Sequence, residues 1–302
     1  MTLPQFPEMK RLELADRDAI QRHTEQYPPY SDFNFISMYS WDTHSTILVS
    51  ELNGNLVVRF ADYQTGEPFY MFLGDCAVDD TARTLLSQSR REELEPALKL
   101  IPEWSALLLN PKMFSVSHEP DHMDYVEHVE RLHTYSGRRF AGQRNGVNRF
   151  RRDNPHARFE ILDLRSVAVR EQLMALFDEW SAQRRAGADG HERAAFARCV
   201  EQCWGHLLGT GIVHLSGRLI AVTVHECVGN GFAVNHFEKA LATEFRGVSA
   251  FLTQRTAHVL AELGVRHINI EQDLGIRGLR MNKRSYAPCD GLRKYRISEY
   301  AR

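Results

Sequence analysis

The chain has 302 residues, of which 43% are hydrophobic and 25% charged, and this composition is typical of a globular protein with room for two domains. The net charge of −2 argues against a generally basic nucleic-acid or membrane binder, and no apolar run approaches the roughly 18 residues of a membrane span. The five cysteines at irregular spacing do not suggest a disulfide framework, and the N-terminus has no signal-peptide core, so we expect a cytoplasmic protein.

The first part of the chain predicts a mixed α/β domain. Its predicted elements are a helix at 16–22, an aromatic core segment at 33–41, strands at 46–51, 56–60 and 69–73, a helix at 81–100 and a strand at 105–109. Asn53-Gly54-Asn55 is typical of a hairpin turn. We see no acid–base cluster here and expect this half to help shape a cleft.

A basic stretch at 131–152 follows, with seven arginines and no acid. Phe140, Val147 and Phe150 have the spacing of one buried helix face, which leaves the arginines on other faces. We assign Arg144 and Arg149 to the phosphates of a large anionic ligand such as tRNA. A solvated basic helix face is the alternative.

The second half repeats the alternation of helices and strands. Its predicted elements are a strand at 159–162, helices at 167–183 and 192–209, strands at 212–215, 219–228 and 232–239, and a helix ending at 263. A glycine-containing polar loop at 184–191 is either a segment that closes over a site or, as most such loops are, a plain connection. Cys199, Cys203 and His206 lie near one another in the sequence, but the cysteines continue an apolar helical stripe, so we expect core packing and no metal site.

Two candidate bases lie on the predicted strand at 232–239. If this strand is regular, Phe232, Val234, His236 and Glu238 share one face, because side chains alternate along a strand. We therefore take His236 and Glu238 as candidates for a catalytic base. A structural role for a histidine at a strand end is the alternative.

The most informative stretch is 267–288, which begins as a strand with Glu271 on its polar side. Gly275 and Gly278 then allow a tight turn, and a short helix follows. The site residues that we assign here are Glu271 and Tyr286 as catalytic candidates, and Arg277, Arg280 and Lys283 as anion-binding groups. We expect Glu271, Arg280 and Lys283 to face one cavity between the two domains.

The order D-L-G-I-x-G-L-R-x-x-K-x-x-Y-x-P, from 273 to 288, resembles the closing motif of a bacterial protein family. That family is related to the C-terminal domain of phosphatidylglycerol lysyltransferases and, more distantly, to Fem-type aminoacyltransferases. The resemblance extends to 136–150 and 235–239. It implies an α/β fold with mixed sheets, made of two GNAT-like (acyl-CoA N-acyltransferase-like) domains in tandem.

The resemblance and the composition together suggest an N-terminal domain at 1–130, a basic linker helix at 131–152, and a C-terminal domain at 153–302 that carries the site. Acyl-CoA-using GNAT enzymes place R/Q-x-x-G-x-G/A before a helix, where backbone N–H groups bind pyrophosphate. Here Gly247 is the central glycine, but Glu244 stands where Arg or Gln is expected. We therefore expect weak binding of acetyl-CoA.

Three functions follow from these observations. The first is an acyltransferase that moves an aminoacyl group from aminoacyl-tRNA to an amine or hydroxyl of a small-molecule, lipid or peptide acceptor. The second is a GNAT N-acyltransferase that uses acyl-CoA, and the third is a non-catalytic protein that binds an anionic metabolite or RNA. We expect no tightly bound cofactor, with aminoacyl-tRNA or acyl-CoA as co-substrate and tRNA as a partner in the first case.

Overall fold

The computed structural model describes residues 2–62, 65–184 and 190–300. The predicted loop at 184–191 falls mainly on 185–189, which lie outside the described residues. In chain order, the strands are β1 (Lys10–Arg11), β2 (Leu48–Leu52), β3 (Asn55–Ala61), β4 (Pro68–Leu73), β5 (Leu98–Pro102), β6 (Phe114–His118), β7 (Asp124–His128), β8 (Arg158–Leu162), β9 (Leu208–Val213), β10 (Leu219–Gly229), β11 (Phe232–Ala240), β12 (His267–Asn269), β13 (Asp290–Leu292) and β14 (Lys294–Glu299).

The α-helices vary from one turn to more than four. In chain order, they are α1 (Arg17–Thr24), α2 (Phe35–Trp41), α3 (Val78–Arg91), α4 (Glu103–Ala106), α5 (Val129–Thr134), α6 (Ala141–Asp153), α7 (Val167–Ala182), α8 (Gly190–Gln202), α9 (Val248–Glu262) and α10 (Arg277–Ser285). The basic stretch predicted as one linker helix therefore forms two helices, α5 and α6. They are separated by Tyr135 and Gly137, which both have positive φ.

The chain divides into two compact units. Unit 1 comprises residues 1–124, 272–277 and 291–302, and unit 2 comprises residues 125–271 and 278–290. The division that we derived from the sequence assigned one continuous segment to each domain. In the structure, the C-terminal segment instead belongs to unit 1, because β14 pairs with both β5 and β6.

Unit 1 is built on a mixed sheet of seven strands in the described residues, in the order β1-β2-β3-β4-β5-β14-β6. Neighbouring strands are antiparallel except β4 and β5, which pair in parallel through Tyr70 and Leu98. The predicted aromatic segment is core, since Phe33, Phe35 and Met38 are buried.

A buried ionic cluster joins three segments of unit 1. Lys294 on β14 is fully buried, and its Nζ lies 2.7 Å from Asp124 Oδ1 and also pairs with Asp32. Ser31 Oγ donates to Asp124 Oδ1 over 2.7 Å, and Gln272 Nε2 donates to Asp32 Oδ1 over 3.0 Å. The cluster thus links the N-terminal, central and C-terminal parts of this unit.

Unit 2 contains the second mixed sheet, whose seven described strands have the order β13-β7-β12-β11-β10-β9-β8. The long strands β10 and β11 form a hairpin closed by Gly229-Asn230-Gly231, and all three turn residues have positive φ. Helix α9 packs against α6, where Phe150 and Phe251 have ring centroids 5.1 Å apart. Cys199 and Cys203 are buried in the core.

Two local predictions in unit 1 are wrong. The helix predicted at 81–100 ends at Arg91, because Glu93 adopts φ 58° and Leu94 N donates to Ser89 O in a Schellman-type cap. Segment 105–109 is not a strand, because Ser105 Oγ exchanges hydrogen bonds with the backbone of Gly74 and holds the chain in a helical turn.

Candidate active site

The candidate site in unit 2 begins where two parallel strands diverge. β11 pairs with β12 only from Phe232 to Val234, opposite His267 to Asn269. β12 then ends, whereas β11 continues to Ala240. We call the segment of β11 at 235–240, which has no pairing with β12, the wedge. It carries both His236 and Glu238.

His236 lies between two carboxylates. Its Nε2 is 3.6 Å from Glu226 Oε2, and its Nδ1 is 3.6 Å from Glu271 Oε1. Burial lowers the pKa of His236, but the interactions with Glu226 and Glu271 outweigh burial and raise it to about 9. With a pKa above neutral pH, His236 is an imidazolium held between the two carboxylates.

Glu271 has the backbone strain often found at functional sites. Its φ is 61°, a left-handed conformation that is uncommon for a residue with a Cβ. Asn269 Oδ1 accepts a hydrogen bond from Glu271 N over 2.7 Å, and Glu271 O accepts one from Tyr125 N over 3.2 Å. These bonds hold the turn that directs the Glu271 carboxylate at His236.

A second group of ionisable side chains surrounds Glu238. Burial raises the pKa of Glu238 to about 7, while Lys239 and Lys283 lower it. Burial also raises the pKa of Glu127 on β7 well above its usual value, and the neighbouring Glu238 raises it further. Glu238 thus lies close enough to Glu127 to affect the ionisation of Glu127. The sequence analysis missed Glu127, although its apolar neighbours Val126 and Val129 are a signal of burial.

Two tyrosines complete this group. The rings of Tyr135 and Tyr286 have centroids 6.4 Å apart, and Tyr135 Oη donates to Ala250 O over 3.0 Å. Burial raises the pKa of both phenols, and the carboxylate of Glu238 contributes to the rise. Both tyrosines are therefore neutral hydroxyl donors at physiological pH.

Helix α10 supplies Lys283, a cation that lowers the pKa of both Glu127 and Glu238. Lys283 Nζ donates to Ile270 O, the backbone carbonyl just before Glu271. Arg280 and Lys283 are half-buried, whereas Met281, Asn282 and Arg284 are exposed, so the two cations share the inward face of the helix. Arg277, the first residue of α10, is exposed.

The two assigned arginines of α6 have different environments. Arg144 Nη1 donates to the carbonyl oxygens of Tyr135 and Gly137, so it caps the C-terminal end of α5. Arg149 is exposed, and its Nε lies 3.5 Å from Asp153 Oδ2. Arg144 is thus half-buried against the turn after α5, and Arg149 lies on the surface.

The expectation that His236 and Glu238 share a face depended on a regular strand, and β11 is irregular. Its register with β10 shifts between the pairs Val224–Phe237 and His225–Asn235, so strict alternation is lost at His236. His236 therefore contacts Glu226 and Glu271, whereas Glu238 belongs to the group with Glu127 and Lys283.

The turn before α9, where acyl-CoA-using GNAT enzymes bind pyrophosphate, is covered by protein. A Cβ on Gly247 would lie 2.1 Å from Gly146 O, so α6 packs directly on the start of α9. Glu244, which stands where a pyrophosphate-binding Arg or Gln is expected, pairs with Arg218 at 3.0 Å. Within the described residues, no group of His, Cys, Asp and Glu has the geometry of a metal site.

Comparison with known proteins places the chain in a family. The sequence profile described as phosphatidylglycerol lysyltransferase, C-terminal, matches residues 24–298. The chain belongs to this family. No curated protein sequence matches it significantly. The resemblance found in the closing motif is thereby confirmed.

Solved structures of similar fold cover nearly the whole chain. A conserved protein of unknown function from Bacteroides thetaiotaomicron VPI-5482 is 25% identical and covers 97% of this chain and 99% of its own, with a TM-score of 0.82. L-PGS from Bacillus licheniformis is 14% identical and covers 97% and 94%, with a TM-score of 0.65. FemX is 10% identical and covers 96% of both chains, with a TM-score of 0.54.

These similarities confirm the predicted fold class, an α/β protein with two mixed sheets. The family is described as that of a lysyltransferase, which agrees with the coarse acyltransferase class that the sequence predicted. In the part of the chain that the structure describes, no helix has the length and apolarity needed to cross a membrane.

Proposed function

We propose that unit 2 transfers an aminoacyl group from aminoacyl-tRNA to an amine or hydroxyl acceptor. The observation that carries this proposal is Glu238, a half-buried carboxyl at the wedge whose pKa is raised to about 7. A general base works best when its pKa is near the working pH, because it is then both ionised and basic enough to take a proton.

The reaction needs a base, an acid and a positioned donor. Glu238 takes the proton of the acceptor N–H or O–H as the nucleophile attacks the ester carbonyl of the aminoacyl group. The bond from that carbonyl carbon to the ribose oxygen of the tRNA then breaks, and Tyr286 gives its hydroxyl proton to the departing oxygen. Proton transfer from Glu238 to the Tyr286 oxygen, directly or through water, restores both groups.

The neighbouring charged groups act on this reaction through position and charge. Lys283 lowers the pKa of Glu238 and so keeps a larger fraction of it ionised at neutral pH. His236 holds the carboxylate of Glu271 beside the wedge. Arg280 shares the inward face of α10 with Lys283 and is suited to a phosphate or carboxylate of the donor.

The choice of donor rests on two features around α9. The backbone at Gly247 is packed against Gly146, so it does not offer the open turn that binds the pyrophosphate of coenzyme A. Glu244 adds a negative charge at the same end of the helix. An acyl-CoA donor is therefore disfavoured, and the half-buried Glu238, as a base, argues against a purely binding role.

Exposed cations are available for a polyanionic donor. The exposed arginines of the basic stretch are Arg131, Arg138, Arg139, Arg149, Arg151 and Arg152, and Arg277 and Arg284 on α10 are also exposed. Such side chains bind a phosphate backbone without reading sequence, and binding of this kind weakens as salt increases. They support tRNA as the carrier of the acyl group.

A transfer assay tests the proposal. The unaltered chain, Glu238→Gln and the exposed control Glu262→Gln are given labelled lysyl-tRNA or alanyl-tRNA with phosphatidylglycerol vesicles or a simple amine, and acetyl-CoA serves as the alternative donor. Glu238→Gln is expected to reduce the rate by about 10²–10⁴-fold, and Glu262→Gln to leave it unchanged. Transfer from acetyl-CoA alone, or a fully active Glu238→Gln variant, would contradict the proposal.

A further inference from the structure

Glu127 has a position that neither the sequence motif nor the proposed base explains. On the neighbouring strand β12, Ile268 pairs with Glu127 of β7 on one side and with Ala233 of β11 on the other. Directly paired residues point to the same face of a sheet, so Glu127 lies on the same face as Ala233. Ala233 is on β11, shortly before the wedge. Glu127 is only 3% exposed.

One oxygen of this buried carboxyl lacks a hydrogen bond. Among the described residues, Glu127 Oε1 has no hydrogen-bond partner, although a buried polar atom normally has one. Burying a carboxylate without a partner is costly, and a cation placed beside it would offset that cost. Glu127 Oε1 therefore points to a ligand with a positively charged hydrogen-bond donor.

The local charge balance favours the same ligand. The charged groups that act on Glu127 are Glu238, which raises its pKa, and Lys283, which lowers it. Lys239, the other cation that acts on Glu238, is paired with Glu192 at 3.0 Å. With both carboxyls ionised, Glu127, Glu238 and Lys283 therefore carry one excess negative charge. A single ammonium group would balance the cluster and satisfy Glu127 Oε1. A neutral or anionic group in the same place would leave the carboxylate unpaired or force it to take up a proton.

We propose that Glu127 binds the α-ammonium group of the aminoacyl donor and thereby selects acyl groups with a free α-amine. This inference rests on the proposed function and names the chemical feature of the donor that the site recognises. The α-ammonium is one carbon away from the carbonyl under attack, so its counter-ion must lie near the base. Glu127, as that counter-ion, lies close enough to the base Glu238 for their charges to interact. The acceptor amine is a poorer candidate, because it must lose its charge before it can attack.

The expected consequence is discrimination against donors that lack the amine. A site built to hydrogen-bond a substrate group rejects an analogue without that group strongly, because the buried partner is left unsatisfied. We expect a preference of about 10²-fold or more in kcat/KM for an aminoacyl-tRNA over the same tRNA carrying the matching 2-hydroxyacyl group.

The test measures this preference in the unaltered chain and in three variants. Glu127→Gln keeps the shape of the side chain but loses the charge, and it should bring the two donors within a few-fold of each other, mainly by lowering kcat/KM for the aminoacyl donor. Glu127→Asp keeps the charge and should retain a preference. Glu130→Gln alters an exposed glutamate three residues away and should behave like the parent. Equal loss for both donors in Glu127→Gln, with the preference unchanged, would overturn the inference.

A binding measurement separates this inference from the proposed function. Alaninamide and lysinamide stand in for the aminoacyl group, and lactamide and N-acetylalaninamide are the matched ligands without a free α-amine. The amino-acid amides should raise the unfolding temperature of the parent and of Glu130→Gln, but not of Glu127→Gln. Absence of transfer with this pattern intact would contradict the proposed function alone. Equal stabilisation of the parent and Glu127→Gln, or no stabilisation of the parent, would contradict the role of Glu127.

Discussion

His236 Nδ1 lies 3.6 Å from Glu271 Oε1, and this ion pair links β11 to the strained turn that follows β12. The other ring nitrogen, Nε2, faces Glu226 at the same distance. The His236 ring is attracted to both carboxylates only while both of its nitrogens are protonated and it carries a positive charge. The geometry beside the wedge should therefore depend on pH through His236.

The first prediction concerns stability. The pKa of His236 is raised from 6.5 to about 9, so its contribution to the free energy of unfolding is fully present below about pH 6.5 and is lost as pH rises through about 9. That contribution is on the order of 3 kcal/mol. Urea unfolding of the parent and His236→Gln across this range should show a difference that shrinks as pH rises. A difference that does not change with pH would contradict the charged state of His236.

The second prediction concerns the buried cluster of unit 1. Attraction from Asp124 and Asp32 outweighs burial and raises the pKa of Lys294, so this lysine is a buried cation. Lys294→Met leaves two carboxylates without their cation and should destabilise the protein by about 3–5 kcal/mol. The exposed Lys112→Met is the control and should change the unfolding free energy little. Similar denaturation midpoints for the two variants would show that the cluster is unimportant.

The third prediction concerns the donor. Because Gly247 is packed on Gly146 and Glu244 is paired with Arg218, acetyl-CoA should bind weakly or not at all in calorimetry at physiological salt. Charged tRNA should bind, with an affinity that falls as salt increases. Low-micromolar binding of acetyl-CoA would instead favour the acyl-CoA alternative.

Much of the fold follows from local sequence signals. The Asn-Gly and Gly-Asn-Gly turns correctly predict the hairpins β2–β3 and β10–β11, because such residues accept positive φ. The closing motif identifies the family, and its spacing correctly indicates that Arg280 and Lys283 share a helix face. These features are formed by residues that are close together in the chain, so they can be predicted from the sequence.

The remainder depends on pairing between distant segments. Glu127 is buried because β7 pairs with β12, which is about 140 residues away in the chain, and no local pattern records that pairing. The insertion of β14 between β5 and β6 is non-local in the same way. The register shift near His236 separates it from Glu238, and a period-2 pattern contains no sign of such a bulge.

The most direct test of the proposed mechanism is the pH dependence of aminoacyl transfer by the parent and by Lys283→Met. If Glu238 is the base, the rate of the parent rises with pH and levels off above an inflection near its pKa of about 7. Because Lys283 lowers that pKa, removing its charge should move the inflection to higher pH. An inflection that stays at the same pH in Lys283→Met, or a rate that falls as pH rises through 7, would contradict Glu238 as the catalytic base.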